Sequence, residues 1–251
     1  AELVSMIKSI PCIDNVTLTT NGILLGEQIQ DLARAGIDAV NISLDALTED
    51  MFEKITRRKG LDRVLEGMDK ALQFPHVRVK VNCVLLHGVN EDQWIPIAGL
   101  AKDRPVDVRF IEMMPIGYGR KYCGEETEDH VRHLLEGAYG KADSLSGRFG
   151  NGPSTYMQLE GFKGKIGFIS AISHKFCEDC NRVRLTSEGF LKPCLQFSHG
   201  ADMRSLLRDG CSDEQIGIVA EKTIFEKPRS HRFGEDREEG LENKKMSEIG
   251  G

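Results

Sequence analysis

Between Phe176 and Leu195 the sequence reads FCEDCNRVRLTSEGFLKPCL, which sets Cys177, Cys180 and Cys194 in a Cys-x2-Cys-x13-Cys array. Two cysteines at that close spacing can grip one metal from a single turn, and a third arriving from the return through Ser187, Glu188 and Gly189 can close the site. Three thiolates are one short of the usual tetrahedral zinc set, so His174 would have to complete a Cys3His zinc knuckle. The other reading is an iron–sulfur cluster held by three cysteines, with one iron open to a ligand. Arg182 and Arg184 occupy alternate positions of a predicted strand over 182–185 and suit an anionic ligand on one side. A solvated strand face is the bland reading of the same two arginines.

The elements that must carry this array follow a regular order. Leu3, Met6, Ile7 and Ile10 form a helical stripe stopped by Pro11. Strands are predicted at 16–20, 38–44, 77–86 and 106–111, with helical material at 28–35, 49–74 and 91–102 between them. Such alternation predicts parallel βα units. A further helix is predicted over 126–138, and the Gly- and Ser-rich run 140–153 marks the expected boundary between residues 1–142 and residues 143–251. A hairpin over 156–169 then feeds the cysteine stretch, helices at 201–208 and 213–226 follow, and the charge-dense 227–245 reads as mobile.

Side-chain parity adds a functional clue. Val16 and Leu18 alternate with Thr17 and Thr19; Val40, Ile42 and Leu44 with Asn41, Ser43 and Asp45; Val79, Val81 and Cys83 with Lys80 and Asn82; Val108 and Phe110 with Asp107 and Arg109. Parallel strands covered on both faces read as unbroken apolar runs, so one polar parity on every strand calls for a polar interior. A barrel lumen holding a charged ligand meets that need; a half-exposed antiparallel sheet is the alternative.

At 251 residues the chain can bury one large core or two smaller ones, and its 33 basic against 39 acidic residues give a net charge of −6. A general nucleic-acid-binding surface is therefore not expected. Seven cysteines, three of them in one array, disfavour a disulfide framework and point to a reducing cytoplasm. No apolar run reaches membrane-spanning length, so no membrane partner is expected. A start at Ala1, inside a predicted helix, reads as a piece of a longer protein.

The runs TTNG (19–22), NISLDAL (41–47), VKVNCV (79–84), VRFIEMMP (108–115), the cysteine stretch and the terminal IGG together resemble the GTP 3′,8-cyclase family of radical S-adenosylmethionine (SAM) enzymes. The resemblance implies an incomplete (βα)6 TIM-like barrel lacking its first two strands, followed by a smaller α+β cluster-binding domain. It implies that Thr19, Ser43 and Met114 bind SAM, and that Lys80, Arg109, Arg182 and Arg184 surround GTP and its triphosphate. Cys177, Cys180 and Cys194 resemble the ligands of an auxiliary 4Fe-4S cluster whose open iron meets the guanine. Gly250 and Gly251 resemble a tail that reaches toward the active site.

The implied reaction opens molybdenum cofactor biosynthesis. A radical made from SAM removes hydrogen from the ribose 3′ carbon of GTP, the sugar closes on carbon 8 of the base, and cyclic pyranopterin monophosphate synthase takes the product. The resemblance leaves a homodimer open. It also requires a second 4Fe-4S cluster on a Cys-x3-Cys-x2-Cys loop, a spacing that no three of the seven cysteines have. That loop and two strands are expected upstream, on about 60 further residues, and the chain alone is expected to be inactive. The other cysteines, at 12, 83, 123 and 211, read as small hydrophobes. Two other classes stay open on the residues alone: a peptide-modifying radical SAM enzyme, and a non-catalytic zinc-knuckle interaction module.

Overall fold

The computed structural model describes residues 1–147, 149–150, 152–233, 242, 244, 246 and 249. Gly250 and Gly251 lie outside the described residues. The chain divides into two compact units, Ala1–Glu112 with Gly124–Ser173, and Met113–Cys123 with His174–Gly251.

In the first unit, helix α1 (Glu2–Lys8) precedes β1 (Thr17–Thr20), α2 (Leu25–Arg34), β2 (Ala39–Ser43), α3 (Glu49–Thr56), α4 (Leu61–Ala71), β3 (Arg78–Val84), α5 (Trp94–Asp103) and β4 (Asp107–Ile111). Then come α6 (Glu128–Tyr139), β5 (Ala142–Leu145), β6 (Thr155–Leu159) and β7 (Ile166–Ile169). All seven strands form one sheet in the order β1-β2-β3-β4-β7-β6-β5. β1 to β4 and β7 run parallel, which removes the antiparallel alternative for the first four strands; β6 runs antiparallel to both its neighbours, β5 and β7.

Apolar parity builds the core. Val40, Ile42, Val79, Val81, Val108, Phe110, Ile166 and Phe168 are buried in one cluster with Leu25, Ile29, Val64, Met68, Trp94 and Leu135 of the helices. The opposite parity is polar on β1 to β4, as the sequence predicts. The turn after β1 requires glycine: Gly22 has φ +80°, and a Cβ there would lie 2.8 Å from Val64. Helix α6 begins at Thr127, whose side chain accepts from the His130 amide.

The predicted boundary in 140–153 does not coincide with the edge of a compact unit. Ala142–Leu145 is an edge strand hydrogen-bonded to β6, so the sheet continues to Ile169. Its four residues carry too little alternation to announce a strand. Where the chain leaves the sheet, one buried carboxylate gathers it. Glu112 accepts from the amides of Ile172 (2.8 Å), Ser173 (2.9 Å) and Glu128 (3.3 Å), and from the Ser173 hydroxyl.

The second unit holds β8 (Arg184–Leu185), β9 (Phe190–Lys192) and β10 (Ala201–Asp202) in a small antiparallel sheet, with α7 (Met203–Arg208) and α8 (Asp213–Phe225). Ser212 and Gln215 form a reciprocal capping box at the start of α8. Lys192 is buried and paired with Glu242. Within 227–245, Lys227, His231, Arg232 and Glu242 make hydrogen bonds.

Candidate active site

Register explains how the first unit assembles a polar surface. Thr19, Asn41, Lys80 and Asp107 are cross-strand neighbours in one row, and Ser43, Asn82, Arg109, Gly167 and Tyr156 form the next. Thus Thr19 with Lys80, and Ser43 with Arg109, lie on adjacent rows of one face. Carboxyl ends of parallel strands are where such sheets receive ligands. Thr19 and Ser43 are exposed there.

Arg109 is 8% exposed and is clamped by neutral oxygens: its Nε donates to Asn82 Oδ1 at 2.9 Å and an Nη to Asn41 Oδ1 at 2.8 Å. Asn41 in turn donates to the Thr19 hydroxyl. Lys80 is 4% exposed and donates to the Phe149 carbonyl at 2.6 Å and the Tyr156 hydroxyl at 3.2 Å. Neither cation has a carboxylate within salt-bridge distance among the described residues. Burial, with Arg109 next in weight, lowers the Lys80 ammonium to about 8. Burial likewise lowers Arg109 and raises Tyr156. Two desolvated cations held by neutral groups form a surface prepared for an anion.

Gly167 makes the room. A Cβ there would stand 2.7 Å from Tyr156 Cε1 and 3.0 Å from Arg109 Cγ. Beyond the strand end, Asp45 accepts from the Val84 amide at 2.7 Å, yet burial pushes its carboxyl up to about 6.

In the second unit, Cys177, Cys180 and Cys194 are free thiols of intermediate exposure. Cys177 opens a short 3-10 turn that closes as the Cys180 amide donates to the Cys177 carbonyl. The strand expected over 182–185 shrinks to Arg184–Leu185, because only β9 is there to pair with it. The burial alternation nonetheless holds in an inverted sense. Val183 and Leu185 are 41% and 64% exposed, while Arg182 and Arg184 are half-buried, which argues against a solvated arginine face.

Electrostatics bind these residues together. Burial raises the Cys180 thiol, but the Arg182 amide and the Lys227 ammonium, which donates to the sulfur at 3.3 Å, outweigh it and hold the thiol below its ordinary value. The His231 amide donates to Cys177 Sγ at 3.4 Å. Burial and Arg182 lower Arg184, opposed by Cys194 and Cys180. Donors aimed at sulfur are what thiolate ligands of a metal or cluster need.

Spacing separates zinc from a cluster. Tetrahedral zinc with bonds of about 2.3 Å draws its sulfurs to about 3.8 Å of one another. Among the described residues the one set of three or more metal-type donors within 4.8 Å of one another is His87, Glu91 and Glu126. A cluster spreads its thiolates over separate irons and makes no such demand. His174 is exposed. In the His87 set, His87 Nδ1 and Glu126 are bonded to each other at 2.5 Å and Glu91 accepts from the Gly88 amide. Met114 is half-buried in the 113–123 segment of the second unit.

Residues 1–101 match the Radical SAM superfamily, and residues 106–233 match the family described as Molybdenum Cofactor Synthesis C. The chain is 45% identical over 250 residues to a GTP 3′,8-cyclase of Clostridium perfringens, covering 100% of this chain and 76% of that protein. Identity is 39% to a GTP 3′,8-cyclase of Alkaliphilus metalliredigens, with 99% and 76% covered, and 39% to one of Desulforamulus reducens, with 100% and 77% covered. The chain belongs to the GTP 3′,8-cyclase family. Radical SAM enzymes work with SAM and 4Fe-4S clusters, and the family is one of lyases.

Sequence reasoning passed over Tyr156, Asn41, Asn82, Gly167, Lys227 and His231 as site residues. Asn41 and Asn82 had a signal in their parity with Lys80 and Arg109. Tyr156 had none, because it reaches the row only through the pairing of β4 with β7 and of β7 with β6. No described helix is long and apolar enough to cross a membrane.

Proposed function

We propose that this chain is the GTP-binding, auxiliary-cluster part of a GTP 3′,8-cyclase, which converts GTP to (8S)-3′,8-cyclo-7,8-dihydroguanosine 5′-triphosphate in the first step of molybdenum cofactor biosynthesis. The observation that carries this reading is the pair of buried, carboxylate-free cations Lys80 and Arg109, in a chain that is 45% identical to a cyclase of that name. On this reading β1 to β4 belong to an incomplete (βα)6 barrel whose first two strands precede Ala1. The unit Ala1–Glu112 with Gly124–Ser173 serves as the barrel part, and Met113–Cys123 with His174–Gly251 as the cluster part.

Lys80, Arg109, Arg182 and Arg184 hold the triphosphate through charge-assisted hydrogen bonds. Thr19, Ser43 and Met114 orient SAM, and Cys177, Cys180 and Cys194 hold an auxiliary 4Fe-4S cluster. When bound, SAM and its reducing cluster supply the radical that takes hydrogen from the ribose. The protein's own residues fix the nucleotide, exclude water and keep the sugar aligned with the base. The chain by itself leaves SAM intact, a cytoplasmic cyclic pyranopterin monophosphate synthase receives the product of the complete enzyme, and two copies can pair as a homodimer.

The test is anaerobic reconstitution followed by iron, sulfide and zinc analysis, with GTP binding measured on the same samples. The expected result is iron and sulfide that Cys194→Ala removes, and GTP binding that guanosine does not match. A colourless protein with stoichiometric zinc lost on His174→Ala would overturn the cluster assignment, and a peptide bound in place of GTP would overturn the substrate.

A further inference from the structure

Lys80 stands apart from the other lysines of the first unit. Apart from Asp107, its neighbours are charged unfavourably or not at all. On β2 it faces Asn41; on β4 it faces Asp107, with Arg109 in the next row; on its own strand lies Arg78; from β6 comes Tyr156. The Phe149 carbonyl accepts from the amine, and Lys165 lies over the Phe149 ring at 5.3 Å. Asp107, the one acid of the set, already accepts from the Lys165 amide. A Cβ on Gly150, which has φ +143°, would stand 2.9 Å from Lys80 Nζ, so backbone closes over the amine. Three cations against one carboxylate, in a site nearly closed to water, favour the neutral amine before any ligand arrives. A triphosphate reverses that field.

We propose that binding of the nucleotide triphosphate is coupled to uptake of one proton from solvent at Lys80, and that Tyr156 is a further residue of the site, its hydroxyl holding the Lys80 amine. The inference rests on the GTP reading above and adds to it that one of the four cations acquires its full charge only with the substrate. Arg109 cannot play this part, because a guanidinium stays protonated throughout. The sign follows from linkage: a group that binds more protons in the complex than in the free protein makes affinity fall as pH rises. With the free amine lowered to about 8, the fall begins there. Phosphate ionisation near pH 6 lies below this window.

The experiment is calorimetric titration of the protein with GTP at pH 8 in buffers of different ionisation enthalpy, and then across pH 7.5 to 9. For the unaltered protein the observed enthalpy should vary with the buffer by roughly half a proton per GTP, and affinity should drop several-fold by pH 9. Lys80→Arg should bind GTP with no buffer dependence and a flat pH profile. Tyr156→Phe removes the hydroxyl acceptor and should move the fall to lower pH. Guanosine, lacking phosphates, should take up no proton. GTP binding with no buffer dependence in the unaltered protein would overturn the coupling and leave the GTP reading standing. Absence of GTP binding at every pH would overturn both.

Discussion

Lys80 and Arg109 of the first unit, and Arg182 and Arg184 of the second, are pairs of buried or half-buried cations held by opposite means. The first pair sits on adjacent strands of a parallel sheet, fixed by register and by amide, carbonyl and phenol oxygens. In the second pair Arg184 opens a two-residue strand with Arg182 two residues before it, and both lie near thiols to which Lys227 and His231 donate. The sheet pair is complete without a cofactor. The loop pair lies beside sulfurs, and on the proposed reading its order depends on what the cysteines hold.

That contrast can be broken first with nucleotide affinity. In the cluster-loaded protein, Arg182→Ala or Arg184→Ala should each weaken GTP binding about tenfold or more, since a charge-assisted contact contributes roughly 1.5–3 kcal/mol. Arg184→Lys should restore only part of it, because the planar fork is lost. After chelation of the cluster the same substitutions should matter little, whereas Arg109→Ala should still cost its tenfold. Equal behaviour of both pairs after chelation would show that the second is as preorganised as the first.

A smaller effect tests the sheet pair through its empty position. Gly167→Ala places a methyl against both Tyr156 and Arg109 and should destabilise the protein by about 1–3 kcal/mol in urea unfolding, with weaker GTP binding. Unchanged stability would mean that the rows have slack. The smallest effect concerns the strand end. Asp45 titrates near 6 when folded and near its ordinary 3.8 when unfolded, so the folded state holds more protons between those values and stability falls as pH rises through them. Asp45→Asn, keeping an acceptor for Val84, should therefore stabilise the protein at pH 7 by roughly 1–2 kcal/mol, and the gain should vanish below pH 4. A gain that persists at pH 3.5 would assign it to packing.

Parity made the first four strands and their polar face legible, because a period of two survives in any strand long enough to show it. The cysteine spacing announced the second region without any help from the fold. What stayed hidden depends on distant pairing. Tyr156 lies in β6, 47 positions beyond Arg109 in the sequence, and enters the row only because β7 inserts between β6 and β4. Lys227 meets Cys180 across 47 residues, from a stretch whose dense charge reads as disorder. The four-residue β5 was invisible for the opposite reason, being too short to display a period at all. The two arginines show both limits, since their alternation predicted the burial pattern while the strand around them did not extend as far.

Glu112 also sets a timetable. Its carboxylate is complete only when Ile172 and Ser173 arrive, 60 and 61 residues later in the chain. A ribosome adding about 5–20 residues per second needs roughly 3–12 seconds to make that span. During that interval β4 has emerged without its neighbour β7, and a carboxylate destined for burial faces water at the open edge of the nascent sheet. The charge keeps that edge wet and discourages premature pairing with another chain, until the partner strand is synthesised and covers it.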